Sequence, residues 1–371
     1  MHRLLWLAWI ASACTRPSES RAVAEFDVGK ASISGATVEV RDGLAAIRDL
    51  TDHRIELWAS APAITLDLSL DAGAAGEWTI VARNTLVDAQ LAVAGLAFPV
   101  VREPGDRTTV ATFKVTLPSG ASTLAIAPPD AATPGPFRVA AMADIQTALP
   151  VVDDVFTMIS AVPELRFVVA MGDITERGTV EEYDLFERQL ETLAIPYYTT
   201  LGNHELWGPH ERFFDRFGRA SFHFEFKGCA FTFVDSGDAG IDPIVEDQLA
   251  GWLSQSIDQP HVFLTHIPPI DPVGLRYGGF RSGRDARRLL AMLGDAKVDL
   301  TLYGHIHTFI DFENAGMPAY ISGGGGAEPM KGDGIYRHFL VVELDATIGD
   351  GLLPLDPSNN PLRAVELHRV D

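Results

Sequence analysis

Beyond residue 143 the chain carries five short groups of residues whose side chains can hold metal ions. They are Asp144-Ile145-Gln146, Gly172-Asp173, Gly202-Asn203-His204-Glu205, Thr265-His266 and Gly304-His305-Ile306-His307. Carboxylate and amide oxygens combined with imidazole nitrogens form a donor set that suits Mn, Fe and Zn. One shared carboxylate can keep two such ions about 3.5 to 4 Å apart, and an ion lowers the pKa of a bound water far enough to give hydroxide near neutral pH. Chemistry of this kind needs no serine or cysteine nucleophile.

Elements that could bring these groups together are legible around them. Phe137 to Ala143, Leu165 to Met171, Tyr197 to Leu201, His261 to Thr265 and Leu300 to Tyr303 are short apolar runs, each directly followed by one of the groups. Between them, Val151 to Ala161 and Val180 to Leu193 have helical spacing. Strands apolar on both faces that alternate with helices predict an α/β domain with a covered sheet. In open α/β sheets the ligand crevice lies at the carboxyl ends of the strands, so residues scattered along the sequence converge there. Residues 22–126 read differently, as short alternating runs such as Ala63 to Leu68 and Thr109 to Leu117 separated by turns such as Pro104-Gly105-Asp106. This pattern predicts a small all-β sandwich acting as a packing or spacer module. Residues 127–136 have the Pro-rich composition of a linker.

The order of the five groups resembles the calcineurin-like metallophosphoesterase superfamily, whose pattern is D-x-H, G-D-x-x-D-R-G, G-N-H-E/D, H and G-H-x-H. The resemblance covers about residues 136 to 345. It implies an α/β four-layer sandwich over residues 137–371 and two divalent metal ions. Asp144, Gln146, Asp173 and His307 would hold the first ion, and Asp173, Asn203, His266 and His305 the second, with Asp173 bridging. It further implies hydrolysis of a small phosphate ester, a monoester or a diester, by metal-bound hydroxide, with His204 protonating the leaving oxygen. Glu176 stands where the family often has an Asp that orients this histidine, and Arg177 stands as a phosphate contact. Gln146 departs from the usual histidine. Its neutral, harder oxygen shifts preference towards Mn or Mg over Zn, with Fe still possible. Purple acid phosphatases place a metal-binding Tyr where this chain has Glu176, so no purple ferric site is expected. The alternative reading is a non-catalytic, exported metal-binding surface protein that uses the β-sandwich to bind a partner.

Composition narrows the partners. A formal charge of -21 opposes binding to nucleic acid and to anionic membranes. His2 and Arg3, the apolar run Leu4 to Ile10 and the small residues Ala11-Ser12-Ala13 predict an export signal, residues 1–13, cleaved before Cys14. The same residues resemble a lipobox, so the expected location is the bacterial periplasm or cell envelope, with membrane contact through a lipid on Cys14, or secretion. Cys229 lies in an apolar run and is expected in the core. His210, His223, His261 and His338 lack the motif spacing and are read as structural or surface groups. The flexible, basic segment Arg276 to Arg284 reads either as a substrate lid or as a solvated loop, and Ser322 to Gly326 as a glycine run permitting close packing.

Overall fold

In the strand Leu165–Ala170, Phe167 and Val169 turn to one face and Val168 and Ala170 to the other, and all four are buried. The same split separates Val139 and Ala141 from Ala140 and Met142, and Val262 and Leu264 from Phe263. Strands apolar on both faces need cover on both, which dictates the layers of a computed structural model that describes residues 17–274, 278–330, 336–348 and 360–370. The proposed export signal and Cys14 lie outside the described residues, as do Arg276 and Tyr277 of the suggested lid.

Two sheets form the centre of the α/β region. One has the order Tyr197–Thr199, Leu165–Ala170, Pro136–Met142, His338–Asp345, Leu362–Arg369. The other has the order Phe222–Phe226, Cys229–Val234, His261–Thr265, Leu300–Tyr303, Met317–Ser322, Phe309–Asn314. They face each other across an aromatic core in which Phe137 meets Phe226 edge-on at 5.1 Å and Phe167 meets Phe231 at 5.6 Å. The helices Asp153–Ala161, Val180–Gln189 and Glu211–Phe217 cover the outside of the first sheet through Phe156, Phe186 and Phe217. Pro243–Gln255 and Gly283–Asp295 cover the second through Leu249 and Leu293. The result is the four-layer α/β sandwich expected from the sequence. Cys229 is a buried strand residue whose thiol is pushed well up by burial.

Between Lys30 and Ala127 two further sheets, of five and four strands, enclose Val38, Leu66, Ile80, Phe113 and Leu124. This is the β-rich region anticipated upstream. It grips the α/β part through Asn84, whose amide donates to Ala59 and Tyr197 carbonyls at 2.8 Å and whose oxygen accepts from Tyr197 N–H at 2.7 Å. Tyr197–Thr199 is an edge strand, so the sandwich caps polar groups that would otherwise be open. Arg48 adds a second grip, bonding Glu187 and the Arg216 carbonyl while lying over the Trp58 ring at 4.1 Å. The helix Pro17–Ala24 does not join the sandwich: Ala22 packs with Val234, Val245 and Leu249 of the second α/β sheet and its helices.

If the aromatic layer joins the two sheets, Phe167→Ala should lower the unfolding free energy by about 3–5 kcal/mol, read from urea titrations. A loss below about 1 kcal/mol would show that the layer tolerates the void and that the sheets are held by other contacts.

Candidate metal centre

The parallel strands of both sheets end at the same rim, and the five groups follow directly from those ends. Met142, Ala170, Thr199, Thr265 and Tyr303 close the strands that lead to Asp144, Asp173, Asn203, His266 and His305. The chain must turn sharply there, and Asp144, Gln146, Asp173 and His305 all adopt positive φ, at 65°, 44°, 54° and 68°. Left-handed backbone at non-glycine residues is costly and persists where surrounding structure enforces it. Gly202 permits the closest approach: a Cβ there would lie 2.1 Å from Asp173 Oδ1. Gly323, in the run Ser322 to Gly326, likewise leaves room for Asp144 Oδ2, 2.9 Å from where its Cβ would be.

Asp173 sits at the centre, fully buried. Its Oδ1 accepts the His204 N–H at 2.9 Å, and its Oδ2 accepts the Gln146 amide at 2.7 Å and lies 3.2 Å from His266 Nε2. His266 Nε2 is also 3.0 Å from Asn203 Oδ1, and donor atoms of Asp173, His266 and His305 all lie within 4.8 Å of one another. On the other side, Gln146 Nε2 is 3.3 Å from His307 Nε2, which is 3.5 Å from Asp144 Oδ1. The two groupings that the resemblance implied, one around Asp144 and one around His266, therefore meet at Asp173. Gln146 turns its NH2 toward Asp173, and half a turn of the amide places its oxygen there instead.

Neighbouring groups fix which imidazole nitrogen faces inward. His266 Nδ1 donates to the Met171 carbonyl at 2.6 Å and His307 Nδ1 to the Glu328 carbonyl at 2.7 Å, leaving both Nε2 atoms at the centre. Metal-binding histidines are held this way. Burial disfavours charge on His266, yet the adjacent Asp173 reverses this and pushes it up to about 9. Burial, then the charge of His266, pushes His305 down to about 4. Asp144 Oδ2 accepts the His305 N–H at 2.8 Å, whereas its buried Oδ1 receives no hydrogen bond from the described residues. A buried carboxylate with an unsatisfied oxygen at Asp144, beside Nε2 atoms of His266 and His307 turned toward the centre, fits a divalent cation.

Glu176 and Arg177 take different places from the centre. His204 Nδ1 donates to the backbone carbonyl of Glu176 at 2.8 Å, while the Glu176 carboxylate stands off at 3.6 Å. Orientation of this histidine thus comes from main chain. Arg177 is exposed, and its N–H donates to Glu182, in the capping box that opens the helix Val180–Gln189. His223 and His261 are packed away from the rim on Thr232 Oγ1, at 2.8 and 2.7 Å, where burial pushes them down to about 4 and 3.

Three contributors were not assigned roles from the sequence. Glu205, buried, accepts from Thr175 N–H and Oγ1 with Oε1 and from Asp173 and Gly202 N–H with Oε2, tying two ligand loops together. Its place inside G-N-H-E was the available signal, but a loop carboxylate in a sequence does not declare its partners. Trp207 is 69% exposed and stacks on the His204 ring at 5.9 Å with 8° between planes. Asp235-Ser236-Gly237 follows the apolar run Cys229 to Val234 as the other groups follow theirs, yet lacks imidazole. Its Ser236 Oγ accepts the Ile267 N–H at 2.7 Å, directly after His266. Replacing Glu205 by Gln puts an NH2 against backbone donors, so metal affinity should fall about 10–100-fold, measured by competition with a chromophoric chelator. Unchanged affinity would mean that the loops hold their places without this carboxylate.

Comparison with known proteins bears on the same stretch. Residues 137–309 match the family model described as calcineurin-like phosphoesterase. A protein from Arcobacter nitrofigilis named as a probable glycerophosphodiester phosphodiesterase GpdQ is 28% identical over 159 residues, 39% of this chain and 58% of that protein. A probable cyclic nucleotide phosphodiesterase from Xenorhabdus bovienii is 42% identical over 43 residues, 12% of this chain and 17% of that protein. The chain thus spans less than two thirds of the curated relatives it matches. Among solved structures, a purple acid phosphatase from yellow lupin seeds is 14% identical, covering 84% of this chain and 72% of that one, with a TM-score of 0.49. PhoD is 12% identical, covering 77% and 82%, with a TM-score of 0.47. The stretch that matches the family model, residues 137–309, contains the strands that lead to the rim and the residues gathered on it as far as His307, and over that stretch the chain is similar to the calcineurin-like phosphoesterases.

Proposed function

We propose that the protein is a dinuclear metal-dependent hydrolase of small phosphodiesters. The observation that carries this reading is the buried Asp173 carboxylate, shared between a grouping of Asp144, Gln146 and His307 and one of Asn203, His266 and His305. Two divalent ions held there supply positive charge for the phosphoryl oxygens and an acidified water for attack. Gln146 favours Mn, being a harder donor than imidazole.

The side chains themselves do the rest. His204 keeps Nδ1 on the Glu176 carbonyl and so presents Nε2, 4.0 Å from Asp173, as the position from which a proton reaches the leaving oxygen. Trp207, stacked on that ring, lies on the leaving-group side and offers an exposed indole to its body. Among the described residues no lysine or arginine bonds to Asp144, Gln146, Asp173, Asn203, His204, His266 or His305. A singly charged diester is better matched to such a rim than a monoester dianion, and both curated relatives bear phosphodiesterase names. The negative total charge and the N-terminal signal pattern support action on small esters outside the cytoplasm.

With Mn added, the chain from Cys14 onward should hydrolyse bis(p-nitrophenyl) phosphate faster than p-nitrophenyl phosphate, and Asp173→Asn should abolish both. His204→Ala should cost about 10²–10⁴-fold on a diester with a poor alcohol leaving group, and much less on p-nitrophenolate, which needs no proton. Trp207→Ala should raise KM for aryl diesters by about 2–10-fold with kcat little changed. A wild-type protein that binds two ions yet hydrolyses neither ester would instead make this a metal-binding surface protein.

A further inference from the structure

The N-terminal segment reaches the metal rim from far away in sequence. Arg21, only 4% exposed, donates from Nε to Asp235 at 2.5 Å and from Nη2 to Asp238 at 2.9 Å. Two residues of opposite charge buried together across 214 positions form the kind of forked, charge-assisted contact that fixes geometry. A few residues on, the buried Glu25 accepts the Ala220 and Ser221 N–H groups at 3.1 and 3.0 Å. Ser221 Oγ in turn accepts the Asp235 N–H at 3.1 Å. Residues 17–27 therefore hold the 235–238 turn from two sides, and Ser18 adds a bond to Asp242 at 2.9 Å.

That turn is wedged between two ligand loops. Ser236 Oγ takes the Ile267 N–H at 2.7 Å and lies 3.3 Å from the Ile267 carbonyl, one residue past His266. Gly237 packs on the other loop so closely that a Cβ would lie 3.2 Å from the Gly202 carbonyl, beside Asn203. Asp235 Oδ1 closes the turn on itself by accepting the Gly237 N–H at 2.8 Å.

We infer that Arg21 is a positioning residue for the second metal site: through Asp235-Ser236-Gly237 it sets the separation of the His266 and Asn203 loops. The N-terminal helix is thereby coupled to the metal centre. The inference rests on the metal reading of His266 and Asn203. Arginine suits the task because its planar fork reaches both carboxylates at once, which a lysine ammonium does not match.

The test is metal affinity, measured by chelator competition with Mn on the chain from Cys14 onward, alongside Tm. Arg21→Met should weaken the second ion by about 10–100-fold, and Arg21→Lys should recover part of the loss. Arg48→Met, which breaks a comparable ion pair remote from the ligand loops, should lower Tm and leave metal affinity unchanged. Ser236→Ala keeps the ion pairs, removes only the link to Ile267, and should weaken the same ion with little change in Tm. If Arg21→Met and Arg48→Met lower Tm alike while both bind metal as wild type does, or if Ser236→Ala binds normally, the inference is overturned. A wild-type chain that takes up no metal would overturn the proposed function instead, so the two failures are distinguishable.

Discussion

Keeping an ionised carboxylate out of water at Asp173 is the constraint on which the rest of the site depends. Desolvation works against its charge, and the protein offsets that with the charge and hydrogen bond of the His266 ring and then with the charge and backbone N–H of His204, which together hold it well below the usual carboxylate range. These donors come from separate turns on the strand rim. The carboxylate is therefore stable only when those turns are brought together, and conversely the turns have a common anchor only because the carboxylate is there. A second buried carboxylate, Glu205, sits directly behind it, and burial and then the charge of Asp173 push it up to about 7 despite its donors. Two acidic groups in such proximity are the electrostatic preparation for cations.

Precision at the rim comes from backbone rather than from side-chain variety. Four of the candidate ligands have left-handed backbone, and glycines let chain segments approach until there is no space for a methyl group. Strain of this sort is sustained by the rigid double sheet below, whose interlocked aromatic rings leave little freedom at strand ends. The β-sandwich contributes by capping the edge strand that leads to Asn203, so its role in packing reaches the site through Asn84 and Tyr197.

His204 shows how backbone and side chain divide one task. The resemblance pointed to the Glu176 side chain as its partner, but the Glu176 main-chain oxygen makes the hydrogen bond, and a carbonyl fixes the tautomer without adding charge. Length explains the substitution: Glu carries one methylene more than Asp, and its carboxylate stands 3.6 Å from Nδ1. Trp207 then covers one face of the imidazole, restricting its motion while leaving Nε2 toward the centre.

What the sequence determined alone is the part governed by local pattern. Short continuous apolar runs specify strands such as Leu165–Ala170, and chemically distinctive residues at their ends mark Asp144, Asp173, Asn203, His266, His305 and His307, because strand ends in parallel sheets share one rim. The all-β character of the upstream region followed from period-two alternation. Tertiary structure alone decided what has no local signature. Glu205 and Glu176 are both loop carboxylates in sequence, yet one is buried under four donors and the other turns its carbonyl inward. Arg21 is one basic residue in an eight-residue helix until it meets Asp235, 214 positions away. Ion pairs and hydrogen bonds act over a few ångströms of space and carry no periodicity along the chain, so only folding reveals which polar residues they join.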